Sequence, residues 1–166
     1  MDLIELIKKR RSIREFADRP IPKAILENII DAGRFAPTAR NVQPWRFVAV
    51  TEKEILRKIS GITENGKFIA SAGACILVFS EDTKYYLEDC SAATQNIMLA
   101  AAASGVGSCW VAGDKKVYAK EFNLLLGVPE NLKIVSLICL GYPITDKAFC
   151  IMEKKKLEEI LHWEKF

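Results

Sequence analysis

Histidine is almost missing from this chain: the single one, His162, lies near the C-terminus. That leaves no partner for a Ser-His-Asp relay in the body of the sequence. Five cysteines (Cys75, Cys90, Cys109, Cys139 and Cys150) form no CxxC pair, so zinc-ligand spacing is lacking as well and no metal is expected. Cys75 and Cys139 lie in apolar runs, as small core residues do, and the odd, scattered set suits a reducing cytoplasm. Net charge is also scarce: 24 Lys+Arg against 21 Asp+Glu gives +3. A general polyanion binder would carry more, so any basic function is local and no nucleic acid is expected. No apolar run is long enough for a membrane span, because Ser104, Gly105, Gly107 and Ser108 interrupt the stretch 97–113. The acidic, amphipathic start does not read as a signal peptide. Repeats, low-complexity tracts and composition breaks are absent, which predicts one domain over 1–166.

What is present is a mixture of helical and strand patterns. Asp2 is placed to cap a helix bearing Leu3, Ile4, Leu6 and Ile7. Ile25, Leu26, Ile29, Ile30 and Ala32 give helical spacing over 23–35, and 53–60 is a short helix. Strands are predicted at 46–50, at the continuous apolar run "ACILVFS" (74–80) and at 132–143, with a short strand or extended turn at "GSCWVAG" (107–113). The longest helix is predicted over 84–104, rich in alanine toward its C-terminal end, and another helix over 115–125. The final "KKKLEEILHWEKF" has too few apolar positions for a core of its own and is expected to lie across another surface. Strict βαβ alternation is lacking, so the fold class is a three-layer α+β domain.

Four stretches can carry chemistry. "KKRRSIREF" crowds Lys8, Lys9, Arg10, Arg11 and Arg14 together. It is either a solvated charge run at a helix end or, pinned by Ile13 and Phe16, a phosphate site in which guanidinium and the Ser12 hydroxyl act together. "APTARNVQPW" sets a hydroxyl, a guanidinium and two carboxamides between Pro37 and Pro44. Either its Asn and Gln satisfy their own backbone, or the loop serves a ligand rich in hydroxyls. In "GVGSCWVAG" the glycines permit a close backbone approach to something flat, or simply a tight connection into a strand. The run 153–159, with Lys154, is a charged surface unless the tail folds back toward Arg10. Binders of phosphate and hydroxyl outnumber acid–base candidates, a pattern that suits a protein whose cofactor does the chemistry.

Taken in order, "RRSIREF", "APTARNVQPWRFVAV", "GVGSCWVAG" and "LEEILHWEKF" resemble blocks of the nitroreductase family of FMN-dependent oxidoreductases, over nearly the whole chain. The resemblance implies an α/β/α fold with a central, mostly antiparallel sheet, a C-terminal segment exchanged in a homodimer, and FMN at the subunit interface. It implies Arg10, Arg11, Ser12 and Lys154 at the phosphate, with Arg14, Asn65 and Lys67 at the pyrimidine edge. It puts Pro37, Thr38, Asn41 and Gln43 of the partner at the ribityl chain and ring, and Trp110, Val111, Ala112 and Gly113 along the ring. Arg14 and Lys67 then support negative charge on the reduced ring, a backbone N–H near Ala112 or Gly113 meets it, and Arg40 faces substrate. The implied activity takes hydride from NADH or NADPH and reduces nitroaromatics, quinones, enones or flavins. A flavin-binding protein without turnover is the alternative. The chain departs from the family pattern in three ways: Lys154 where arginine is common, Ala112 where glutamate stands in well-known members, and no lid between the 74–80 strand and the long helix.

Overall fold

The computed structural model describes residues 2–145 and 148–166. Four strands, β1 (Trp45–Val50), β2 (Ala74–Ser80), β3 (Gly107–Ala112) and β4 (Lys133–Gly141), form one sheet in the order β1-β2-β4-β3. All three pairings are antiparallel. The central pair consists of the two longest apolar runs, and every residue of β2 is buried. Burying side chains of this size contributes about 1.5–3 kcal/mol each, which drives the two runs to the middle.

Helices cover both faces. One face packs on α2 (Lys23–Gly33) and α4 (Tyr86–Ala103) through Leu26, Ile29, Ala93, Ile97 and Ala101. The other packs on α3 (Lys53–Ile62) and α5 (Ala119–Leu126) through Leu56, Ile59, Phe79 and Phe122. The helix and strand patterns thus resolve into the α/β/α layering that the sequence predicts. Gly33 sets the α2–α4 spacing, because a Cβ there would stand 2.7 Å from the Ile97 side chain. Thr94 and Ser136 share a buried hydroxyl contact of 2.7 Å between α4 and β4.

Several boundaries differ from expectation. Asp2 occupies the cap position of α1 (Leu3–Lys9), but its side chain caps nothing. The 84–104 helix starts at Tyr86, and the 115–125 helix starts only at Ala119. Lys115 takes a left-handed φ of 58° just before it, which a helix cannot include. A 3₁₀ helix, Lys67–Ser71, leads into β2. The tail forms only a 3₁₀ turn at Leu157–Glu159, and every residue from 151 to 166 is exposed. α1 also buries nothing and leaves Leu3, Ile4 and Ile7 in solvent. No described helix is long and apolar enough to cross a membrane.

Candidate functional site

The basic run leaves α1 and turns extended at Arg10 (φ −57°, ψ 133°). It then lies along the sheet: Ser12 bridges Ser108 of β3, Ile13 N–H donates to the Ser108 carbonyl at 2.9 Å, and Ile13 and Phe16 are buried. Gly107 permits this approach, since a Cβ on it would meet Ile13 at 2.9 Å. The glycines of "GVGSCWVAG" therefore serve the chain itself: Gly105 turns at φ 70°, and Gly107 admits the N-terminal segment.

Pinning this segment has an electrostatic consequence. Arg10 Nη1 is buried with no hydrogen-bond partner, and so is Ser108 Oγ. A buried donor without an acceptor costs roughly 1–3 kcal/mol, so two orphans in one region mark a place that an anion would stabilise. Arg10, Ser12 and Arg14 gather around the Cys109 thiol. Burial raises that thiol above its ordinary value, while Arg14, a hydrogen bond with Ser12 and Arg10 oppose the rise. Arg11 Nη1 reaches Cys150 Sγ at 3.5 Å, just before the exposed tail.

Arg14 continues into a cleft of about 140 Å³, shared with Asn65, Phe68, Trp110, Val111 and Ala112. Its guanidinium stands 5.9 Å from the Phe68 ring centroid. Asn65 enters as expected, but Lys67 does not line the cleft. Its amine donates to the carbonyls of Ser60 and Gly61 at 3.2 Å each, where it complements the C-terminal end of α3. Gly113 N–H is likewise committed, to the Val135 carbonyl at 3.1 Å. β3 is an edge strand, so alternation turns the Ala112 N–H away from β4 and makes it the free donor of the two.

The polar loop sits apart from this cleft. Thr38 Oγ1 donates to Asp89 Oδ2 at 2.7 Å and accepts the Gln43 N–H at 3.1 Å, while Ala39 N–H donates to Asp89 Oδ1 at 3.2 Å. The Gln43 amide donates to Asn41 Oδ1 at 3.1 Å. Arg40, Asn41 and Gln43 all have positive φ, at 54°, 57° and 53°. Asn accepts this region readily; Arg and Gln pay about 1 kcal/mol or more for it. Pro37 is exposed, and Trp45 is buried and stacked on Phe47 at 6.4 Å. In a single chain, then, the Gln43 amide is spent on Asn41, and the loop presents Arg40 to solvent. Lys154 is exposed and has no ion pair among the described residues. Its return to Arg10 within one chain is not observed.

Asp89, the anchor of the loop, was not singled out from sequence. Its signal is the one charged residue on the buried face of α4, where Thr94 is the other polar side chain. Ser108 was likewise missed, because only the docking of Ile13 makes its hydroxyl an orphan.

A profile of the Nitroreductase family matches residues 7–85 and 63–142. The chain belongs to the nitroreductase family. An Archaeoglobus fulgidus protein provisionally named an NADH dehydrogenase/NAD(P)H nitroreductase is 38% identical over 99% of both chains. Among solved structures, an FMN-dependent nitroreductase from Clostridium difficile superposes with a TM-score of 0.91 at 29% identity, covering 98% of this chain and 99% of that one. A Desulfovibrio desulfuricans protein described provisionally as a nitroreductase, in complex with FMN, gives 0.81 at 27% identity, over 100% and 98% of the two chains.

Proposed function

We propose that the protein is a homodimeric FMN-dependent NAD(P)H oxidoreductase of nitroreductase type, acting in the cytoplasm as one domain over 1–166. The observation that carries this reading is the pair of buried orphans, Arg10 Nη1 and Ser108 Oγ, beside Ser12. A phosphate monoester supplies the acceptors that this guanidinium lacks, and Arg11 and Lys154 add charge from the chain's two ends. FMN, when bound, supplies the two-electron chemistry that takes hydride from NADH or NADPH and passes it to an electron-poor nitroaromatic, quinone, enone or flavin.

The chain's own work is binding, orientation and electrostatics. Trp110, Val111 and Ala112 form a wall against a flat ring, Asn65 offers a carboxamide at its edge, and Arg14 supplies positive charge within the same cleft. The Ala112 N–H is the available backbone donor, with Gly113 closing the segment. Thr38, Asn41 and Gln43, behind Pro37, present a polyol-compatible surface. They lie outside the Arg14 cleft, which supports their serving a second subunit's site. The exposed apolar residues of α1 and the tail support the same dimer. Lys67 supports ring charge only if its amine leaves α3.

Purified protein is expected to be yellow, to release about one FMN per chain on denaturation, and to bleach on anaerobic addition of NADH or NADPH. Colourless protein that takes up no FMN would end the reading. Flavin retained without bleaching would make it a flavin-binding protein without turnover.

A further inference from the structure

A second hollow, of about 140 Å³, opens where the 38–43 loop meets the start of α4, and its polar lining is Arg40, Thr83, Lys84, Tyr85 and Asp89. The two acids just before it are already taken: Glu81 pairs with Arg46 at 2.5 Å and Asp82 with Lys133 at 2.7 Å. Among the described residues Arg40 has no hydrogen bond or ion pair, and Lys84 only rests over the Tyr85 ring at 5.2 Å. Asp89 contributes a negative charge, but its two oxygens accept from Thr38 and Ala39. Thr83 Oγ1 is buried with no partner at all. A solvated charge patch explains two free cations. It does not explain a concavity that holds a starved hydroxyl beside them.

We propose that this hollow holds the carboxylate of the acceptor, so that the preferred substrate is an anionic, electron-poor aromatic or unsaturated compound. The proposal rests on the functional reading above, in which the 38–43 loop stands beside the partner's flavin. Arg40 offers a planar fork that matches two carboxylate oxygens, Lys84 adds a point charge, Thr83 donates its hydroxyl, and Tyr85 adds an aromatic wall. The uncommitted side chains decide the sign of the substrate: an ammonium group here would face two cations and a carboxylate that is already hydrogen-bonded.

The test compares 4-nitrobenzoate with its neutral amide, 4-nitrobenzamide. The amide is the more electron-poor, so intrinsic reactivity runs against the expected result. The holoenzyme should favour the carboxylate in kcat/KM. Arg40→Gln and Lys84→Gln should each lower the carboxylate-to-amide ratio about three- to fivefold, the scale of exposed charge pairs. A ratio below one, or one untouched by both variants, overturns the proposal. A phosphate of the donor has the same chemistry. If the variants raise KM for NADH or NADPH and leave the acceptor ratio alone, the hollow serves the donor and the acceptor assignment falls. Calorimetry of both nitro compounds with the purified protein, without donor, reads the hollow independently of turnover. Preferential carboxylate binding lost in the variants supports the proposal even if FMN is never reduced, and equal binding of the two compounds refutes it.

Discussion

The 38–43 loop and the C-terminal tail both lack long regular elements, yet they are held in opposite ways. The loop closes on its own chain: Asp89 takes two donors, Gln43 ties to Asn41, and three residues are kept at positive φ. Among the described residues the tail from 151 onward makes only local contacts, such as the Leu161 N–H to the Leu157 carbonyl. Leu157, Ile160, Leu161, Trp163 and Phe166 are all exposed. A strained backbone persists only where surrounding contacts over-determine it, so the loop carries its geometry into any assembly. An exposed apolar tail acquires its geometry only from whatever covers it. In the proposed dimer, one element is prepared before assembly and the other is completed by it.

Removing residues 157–166 breaks the comparison most severely. On the proposed function the truncated protein sediments as a monomer and loses its flavin, while its thermal unfolding stays cooperative, because the tail adds nothing to either core. Unchanged mass and colour would show that the tail wraps no partner.

Arg10 and Lys154 come next, since one is fixed within the chain and the other rides on the tail. Arg10→Ala should weaken FMN binding about ten- to a hundredfold, the loss expected for a charge-assisted hydrogen bond of roughly 1.5–3 kcal/mol. Excess FMN should then restore activity. Lys154→Ala should cost several-fold less, because an exposed ammonium at the end of a tail is screened. Fluorescence titration of the apoprotein measures both, and equal losses would mean that the tail is as well ordered as the sheet-bound segment.

The layers were legible in sequence because burial writes itself as periodicity. The all-buried run 74–80 could belong only to the middle of a sheet, and Leu26 and Ile29 could belong only to a helix face. The candidate cofactor residues stand out as motifs, yet their geometry does not. Lys67 turns to the end of α3 because helix carbonyls left without partners attract the nearest amine, and spacing does not record which acceptor wins. Arg10 and Ser108 become orphans only when Ile13 docks 95 positions away in sequence from its β3 partner. Helix ends slipped where a left-handed residue such as Lys115 interrupts an otherwise helical composition.

Loosening the loop should have a smaller effect. Asp89→Ala leaves the Thr38 hydroxyl and the Ala39 N–H without their acceptor, at a cost of about 1–2 kcal/mol in stability once partial solvation is allowed for. Urea denaturation should show a lower midpoint at unchanged slope. Flavin retention should fall as well, since the polar loop is then no longer prepared in advance. A stability loss with normal flavin binding would confine the role of Asp89 to the fold.

The smallest effect lies beside the same anchor and appears only at alkaline pH. Burial pushes the Cys90 thiol up to about 11; a hydrogen bond with Ser80 opposes the rise and the charge of Asp89 adds to it. The folded value lies above the ordinary 9.0, so the contribution of this thiol to stability is fully present below about pH 9. It is lost progressively as pH rises toward 11, because the unfolded chain releases the proton first. At pH 10 the loss is about 1 kcal/mol. Urea midpoints at pH 8 and pH 10 should therefore diverge more in the wild type than in Cys90→Ala, whose midpoint is lower at both pH values for want of packing. Cys150, the only exposed thiol among the five, supplies the contrast. A thiol reagent at pH 8 should find at most one group per native chain, and five after unfolding. Modification of Cys90 in the native chain at that pH, located by peptide mapping, would show that the α4 face beneath the loop opens on the time scale of the assay, and that the loop is no better fixed than the tail.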